Sequence, residues 1–389
     1  MKILHVIGSL APREGGPPKA CVEMARAVAA RGHQVDIMTT DRDGAGRLDV
    51  PLDRPVRDDG VTIRYFPVGF PRAWRTSRPL ARALAAAIPD CDVVHVHSLY
   101  LHYDWVVGRV CRQAGVPYVV RPHGTLDPYI RRRHRLRKRV VEMLFQDRML
   151  ADAAAVHFTS AEEARLAAPY TGGARAVVIP NGLDIADYRS LPPRGTFRAR
   201  HPEIGGRRIV LFLGRLNFKK GLDVLLPAFA ALAHDRDDVH LVIAGPDGGE
   251  ASAVAAGIAA AGLGERVTLP GMVLGEDKRA LLGDADLFVL PSRSENFGIA
   301  VVEAMASGVP VVISERVNIW REIIDNGAGL AAPVAAAEVA AMMARILDDP
   351  GAPTRMGTAG RALVAARFQW SAIGPRLEAL YVEVAEPAR

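Results

Sequence analysis

Short runs of branched apolar residues recur along this chain in a rhythm that few folds accommodate. Residues 3–7, 34–40, 61–66, 93–97, 117–121, 155–159 and 177–179 are rich in valine and isoleucine, and alanine-rich segments of helical pattern separate most of them. Strands joined through helices pair parallel and are covered on both faces, which is why such runs are apolar throughout and do not alternate. The pattern predicts an α/β fold with a doubly wound parallel sheet. It breaks at Pro192-Pro193-Arg194-Gly195 and resumes at 209–213, 239–244, 266–269, 287–290 and 310–313. Two Rossmann-like halves are expected, residues 1–187 and 188–370, facing one cleft.

The length agrees, since 389 residues exceed what one hydrophobic core usually supports. Hydrophobic content of 49% and charged content of 24% are ordinary for a globular chain. Cys21, Cys91 and Cys111 lie far apart without metal-ligand spacing, which predicts neither a disulfide framework nor a zinc site and suits a reducing cytoplasm. The opening run Met1-Lys-Ile-Leu-His-Val-Ile-Gly8 is too short for a signal peptide. The alanine tract from Ala328 to Ala344 contains Pro333 and Glu338 and falls short of the about 20 apolar residues that span a bilayer. A soluble or peripheral protein is expected. The net charge of +6 is local, because seven of the nine residues 131–139 are Lys or Arg and the remainder is close to neutral.

The most informative stretch is Pro291-Ser-Arg-Ser-Glu-Asn-Phe-Gly-Ile-Ala-Val-Val-Glu-Ala-Met-Ala-Ser-Gly308, which comes after the apolar run Asp286-Leu-Phe-Val-Leu290. It reads as strand, loop and a helix that opens at Gly298 and stops at Gly308. A helix start offers unpaired N–H groups and a positive dipole end, and anions bind there. Glu295 and Glu303 flank that point and can accept hydrogen bonds from hydroxyl groups. A phosphate flanked by sugar hydroxyls is a nucleotide sugar.

Glu295 and Glu303, with seven residues between them that include Asn296-Phe297-Gly298, resemble the Glu-x7-Glu signature of retaining glycosyltransferases of family 4, which have the two-domain GT-B fold. Gly15-Gly16, His123-Gly124, Asn181-Gly182-Leu183-Asp184 and Gly214-Arg215 to Lys220-Gly221 fall in the family's order, so the likeness covers nearly the whole chain. It implies an acceptor-binding first domain, a second domain that holds the donor, and a terminal helix, 371–389, that packs back on the first. It also implies that Gly16 approaches the donor diphosphate, that His123 contacts the donor sugar, and that Arg215 and Lys220 hold the diphosphate. Glu295 would hold sugar hydroxyls, Glu303 the ribose, and the loop at Met272 the base, with Asn296, Phe297, Gly298 and Ile299 completing the donor site.

The residues themselves carry part of this. An arginine and a lysine five positions apart around a flexible turn can both reach one diphosphate, the first as a planar fork and the second as a point charge. Gly15 and Gly16 let a backbone approach closely, though a simple turn explains them equally well, and the pattern is not the Gly-x-Gly-x-x-Gly of nicotinamide enzymes. His95 and His97 share one strand face without a third ligand nearby in the sequence, so no metal is expected; His97 and Asp127 are assigned to the acceptor side. Asp284-Ala-Asp286 reads as capping or surface charge.

The run Arg131, Arg132, Arg133, Arg135, Arg137, Lys138 and Arg139 opens a helix expected over 131–150, with an apolar stripe at Leu136, Val140, Met143 or Leu144, and Leu150. It is either a solvated face or a contact for acceptor phosphate or an anionic membrane. Nucleic acid is not expected, for lack of interleaved aromatic residues.

The expected activity is metal-independent, cofactor-free transfer of a sugar from a UDP- or GDP-sugar to an acceptor hydroxyl at the inner face of the plasma membrane, in polysaccharide-precursor synthesis. A sugar-nucleotide epimerase of the same fold, or a non-catalytic nucleotide-sugar-binding protein, are the alternatives.

Overall fold

The computed structural model describes residues 1–386. Of the last helix expected at 371–389, residues 387–389 lie outside them. The chain divides into two compact units, one formed by Met1–Gly182 together with the segment from Trp370, the other by Leu183–Gln369.

The first unit is an eight-stranded sheet. In chain order its strands are β1 (Lys2–Val6), β2 (Gln34–Thr40), β3 (Pro55–Asp58), β4 (Val61–Phe66), β5 (Val93–His97), β6 (Tyr118–Arg121), β7 (Ala155–Phe158) and β8 (Ala176–Val178). They lie in the order β8-β7-β6-β5-β1-β2-β4-β3, all parallel except the edge strand β3. The second unit has β9 (Arg208–Leu213), β10 (Val239–Ala244), β11 (Val267–Gly271), β12 (Ala285–Leu290), β13 (Val311–Ser314) and β14 (Gly329–Ala332) in the order β11-β10-β9-β12-β13-β14, entirely parallel. That is the doubly wound order in which winding reverses between the first and fourth strands.

Every strand expected from the apolar runs is present. Two strands of these sheets were missed, for physical reasons. β3 carries Pro55, Arg57 and Asp58, a composition tolerated because it is an antiparallel edge. β14 is Gly-Leu-Ala-Ala, without a β-branched residue, and reads as part of the alanine tract. Gly329 is what lets it pair, since a Cβ there would lie 2.3 Å from the Val311 carbonyl oxygen.

The helices that matter for the site are α1 (Gly16–Ala29), α2 (Arg135–Val141), α3 (Leu222–His234), α4 (Gly275–Asp284), α5 (Ile299–Ala306) and α6 (Trp370–Ala385). α6 packs on α1, burying Ile373, Leu377, Leu380 and Tyr381. Gly374 permits the approach, its would-be Cβ lying 3.4 Å from the Ala27 carbonyl. Around this contact Glu378 pairs with Arg31 and His33, and the Trp370 indole donates to Glu23 at 3.0 Å. Gly182 is constrained by the same helix: a Cβ there would sit 2.2 Å from the Trp370 ring.

Beneath α1 and α6 the first unit buries an unusual layer. His5, His95, His97, Arg121 and His157 are all fully buried on one face of the sheet, among Ile3, Val93 and Val119. Each is tethered. His95 Nδ1 lies 2.7 Å from the Tyr381 hydroxyl, His157 Nε2 lies 2.7 Å from the Ile179 carbonyl, and Arg121 donates to Asn181 Oδ1 at 2.5 Å. Burial, with help from the Arg121 guanidinium, lowers the His5 ring to about 3. Burial likewise holds His95, His97, His123 and His157 well below the usual imidazole range, with neighbouring rings and Arg121 adding to the effect. Burial brings Arg121 down to about 10 against the pull of Glu163.

The layer sets an acid limit on stability. Above about pH 6.5 these rings are neutral in both folded and unfolded chains and make no difference. Below it the unfolded chain takes up protons that the folded layer refuses, and stability falls by about 1.4 kcal/mol per pH unit for each ring that stays neutral. The urea midpoint is expected to hold between about pH 8 and 7 and to drop steadily between about pH 6 and 5; a midpoint unchanged at pH 5 would mean the rings charge within the folded chain.

Candidate functional site

In the second unit the strand order reverses between β9 and β12, and the loops leaving their C-terminal ends are Gly214–Gly221 and Pro291–Gly298. Ligands of doubly wound sheets bind at such a reversal. Gly221 caps α3 in the left-handed region, φ 71°, and a Cβ on it would lie 2.0 Å from the Pro291 carbonyl oxygen. Only a hydrogen atom fits between the two loops. Their backbones are joined besides, the Arg293 N–H donating to the Lys219 carbonyl at 2.7 Å.

Across this contact the Lys220 ammonium pairs with the Glu295 carboxylate, both side chains mostly buried. Burial pushes the Glu295 carboxyl up, but Lys220, Lys219 and Arg215 together outweigh it and hold the group below its ordinary value. The carboxylate therefore stays ionised at neutral pH. Its backbone is fixed on both sides, the N–H donating to the Arg316 carbonyl and the carbonyl accepting from Asn318 N–H, each at 3.0 Å. Arg215 is held along Gly248, whose would-be Cβ lies 2.7 Å from the arginine Cγ. Arg215, Lys219 and Lys220 thus gather positive charge at the reversal, the kind of group that can hold a diphosphate.

Gly298 caps α5 in the left-handed region and Gly308, φ 79°, stands just past its end, as the sequence spacing predicts. Ile299 opens that helix, and Asn296 is half-buried beside it. Phe297 turns its ring into the core, edge-on to Phe368 with centroids 5.4 Å apart, so at this position only the backbone is left for a ligand. Met272 is exposed on the loop after β11. Glu303 is buried, and Lys278 on α4 donates to it at 2.9 Å. Lys278 has no signature in the sequence; it sits among Glu276, Asp277 and Arg279 and looks like surface charge until the fold sets α4 beside α5. Asp284 is not at the surface: it is fully buried and accepts from the N–H groups of Gly195, Phe197 and Arg198, capping the first segment of the unit, while Asp286 pairs with Arg194 and Arg198.

In the first unit Gly15, φ 89°, turns the chain into α1, whose first residue is Gly16. His123 and Gly124 are both left-handed, φ 53° and 76°, after the end of β6. A histidine in that conformation is strained by about 1–2 kcal/mol, and the surroundings hold it there. Glu163 accepts from the Gly124 N–H at 2.9 Å and from Thr159, and His97 Nδ1 lies 2.9 Å from His123 Nε2. Glu163, from a helix 40 residues downstream by number, is the positioning group that sequence reading missed. His97 is fully buried with both ring nitrogens engaged, by His5 and His123. Asp127 spends its carboxylate capping the helical turn Pro128–Arg131, accepting from Tyr129 N–H at 2.7 Å.

His5, Cys21 and His97 bring three possible metal donors within 4.8 Å of one another. Burial raises the Cys21 thiol well above its ordinary value, and the Arg121 guanidinium already acts on Cys21 and His5, so an added cation would meet like charge. Within the trio, His5 and His97 are joined by a hydrogen bond between ring nitrogens at 3.0 Å.

The basic run divides by role. Arg131 stacks over Tyr170 at 3.8 Å and pairs with Glu142, and Lys138 donates to the Ile130 carbonyl at 2.7 Å, so both are built into the fold. Arg132, Arg133, Arg135, Arg137 and Arg139 are exposed. The expected single helix is instead a short turn, then α2, a π-helical turn Glu142–Gln146 and a further helix Asp147–Ala151. The i→i+5 winding rotates the downstream residues by about a quarter turn. Leu136, Val140, Met143 and Leu144 therefore face outward, 82, 50, 70 and 71% exposed, while Leu150 is buried. Among the described residues no helix is long and apolar enough to cross a membrane.

Residues 193–363 match the family described as Glycosyl transferases group 1, and residues 15–182 the Glycosyl transferase 4-like domain. A GDP-mannose:cellobiosyl-diphosphopolyprenol alpha-mannosyltransferase of Xanthomonas oryzae pv. oryzae is 30% identical over 85% of this chain and 83% of its own length. D-inositol 3-phosphate glycosyltransferase 1 of Catenulispora acidiphila is 31% identical over 96% and 92%. Among solved structures, sucrose-phosphate synthase of Thermosynechococcus elongatus superposes with a TM-score of 0.81 at 23% identity over 98% of both chains. Anabaena HepE in complex with UDP and glucose gives 0.79 at 22% over 98% of this chain and all of its own.

The loop contact at Gly221 generates a stability test. Gly221→Ala combines left-handed strain with a backbone clash and is expected to cost at least about 2 kcal/mol, lowering Tm by about 4 °C or more. Gly262→Ala, also at positive φ but with nothing within 4 Å of its Cβ, serves as the control and should cost less; equal Tm values for the two would show that the loops do not press together there.

Proposed function

We propose that this chain, which belongs to the group 1 glycosyltransferases and moves a sugar from a nucleotide-sugar donor to an acceptor, transfers a hexose from a UDP- or GDP-sugar with retention of configuration and without a metal ion. The observation that carries the reading is the Lys220–Glu295 pair beside Arg215 at the reversal of the second sheet. Breaking the bond between the anomeric carbon and the diphosphate oxygen leaves negative charge on the leaving group and positive charge on the sugar. Arg215, Lys220 and the start of α5 stabilise the first electrostatically. With the cations and a helix dipole supplying that charge, no metal is needed.

Glu295 holds sugar hydroxyls and Glu303, kept in place by Lys278, holds the ribose. His123 meets the donor sugar. We nominate no second carboxylate among the described residues as a covalent nucleophile, and attack from the same face as departure fits that reading. The acceptor oxygen bonds to the anomeric carbon as the carbon–phosphate oxygen bond breaks, and the acceptor's proton passes to the leaving phosphate.

The outward-facing Leu136, Val140, Met143 and Leu144, interleaved with exposed arginines, support an acceptor met at an anionic membrane surface, with the enzyme peripheral on the cytoplasmic face. The Xanthomonas relative, whose name carries a diphosphopolyprenol acceptor, supports the same class.

Lys220→Ala and Glu295→Ala are each expected to lower kcat by about 10²-fold to 10³-fold with folding intact by circular dichroism; the donor is chosen by thermal shift with UDP-glucose and GDP-mannose, where binding at 100 times Kd adds about 2.7 kcal/mol. Wild-type turnover in either variant would remove the site assignment. Sedimentation with vesicles is expected to require anionic lipid and to weaken on Leu136→Ser with Leu144→Ser, and equal binding to neutral vesicles would remove the membrane surface.

A further inference from the structure

Two of the buried histidines, His5 and His97, continue into the half-buried His123 as one chain. His5 Nδ1 lies 3.0 Å from His97 Nε2, and His97 Nδ1 lies 2.9 Å from His123 Nε2. The rings are stacked, with centroids 5.3 and 5.2 Å apart and planes inclined by 28° and 26°. A neutral imidazole carries one proton, so the central ring donates through one nitrogen and accepts through the other. The two bonds therefore run in the same direction.

That direction is decided at the inner end, where His5 Nε2 is buried without a partner. An orphaned N–H forfeits a donor that water would have satisfied, and orphaned donors are rarer in folded proteins than under-satisfied acceptors. His5 then carries its proton on Nδ1 and donates to His97, and His97 carries its proton on Nδ1 and donates to His123 Nε2. What remains to His123 is a proton on Nδ1. A lone histidine in water prefers the other tautomer, so the chain imposes its form through the hydrogen bond at the far nitrogen. The buried Arg121 guanidinium beside the rings opposes any extra proton that would erase the polarity.

We propose that His5 and His97 are positioning residues that lock His123 as its Nδ1–H tautomer, so that it presents a hydrogen-bond donor, and no lone pair, to an oxygen of the donor sugar. This rests on the reading that His123 meets that sugar. The left-handed backbone at His123, pinned by Glu163 through Gly124, fixes where the N–H points, and the histidine chain fixes that it is an N–H.

The test is nitrogen NMR of the full-length protein with 15N-labelled histidine, near neutral pH, where long-range couplings assign the protonated nitrogen of each ring. His5, His97 and His123 are each expected to be protonated on Nδ1 alone. An Nε2–H signal from His123, or shifts of metal-bound nitrogen from His5 and His97, would overturn the proposal. His5→Phe keeps a flat aromatic ring, somewhat larger, and removes the donor at the inner end. It is expected to leave His123 a mixture of tautomers and to lower kcat about 10-fold, the lower range seen when a partner orienting a functional histidine is lost, with KM for the nucleotide sugar changed less than about twofold. A single Nδ1–H form with full kcat in His5→Phe would also overturn it. His123→Ala tests the underlying reading separately, because unchanged turnover there removes His123 from the donor sugar whatever the tautomer spectrum shows.

Discussion

Where the six-stranded sheet reverses its winding, two loops are pressed so closely that a single hydrogen atom separates them, Gly221 against the Pro291 carbonyl. The arrangement of charge in the second unit depends on that contact. It brings Lys220 onto Glu295 and, with Lys219 and Arg215 adding their fields, keeps Glu295 ionised inside a largely buried setting. An isolated buried carboxylate would protonate, and a buried ammonium would lose its proton. Here the neighbouring cations hold the Glu295 carboxyl in its charged form. The apolar core of this unit can stay ordinary because the functional charge is concentrated at one end of the sheet.

The first unit takes the opposite course and carries its polar groups in the core. Four histidines and an arginine lie on one face of a sheet whose other inward positions are Ile, Val and Ala. Partners reach the layer from several directions, Tyr381 from the last helix, Asn181 from the end of the unit and the Ile179 carbonyl from the loop after β8, while one nitrogen each of His5, His95, His157 and Arg121 stays buried without a partner. The C-terminal helix is thus a chemical part of the first sheet as well as a cover over it. Its hydroxyl satisfies a ring that lies 286 positions earlier by number.

Much of this was legible in the sequence. Runs of Val and Ile separated by helical segments specify parallel strands because burial on both faces leaves no room for alternation, and twelve such runs are all strands. Arg215, Lys220, Glu295 and Glu303 stand out because their spacing around glycines fits a strand–loop–helix. What was not legible depends on long-range packing. Lys278 acquires meaning only beside Glu303, Glu163 only beneath Gly124, and the fate of His97 only once His5 is set across from it. Sequence periodicity also assumes a fixed number of residues per turn, and the π-helical turn at Glu142–Gln146 breaks that assumption, which is why Leu150 turned inward while Leu136 and Leu144 did not.

That wider turn has a wider meaning. A helix wound uniformly must show one oily side, and a chain that needs that side for its own interior has none to spare. By taking up one surplus residue mid-helix, the segment keeps an inner seam through Val141, Gln146, Met149 and Leu150 while offering a second, greasy rim to the outside. Shortening the segment by one residue would restore uniform winding and trade one surface for the other. Which residues of this segment meet the interior and which meet the outside is thereby set by the counting of the backbone as much as by the side chains it carries.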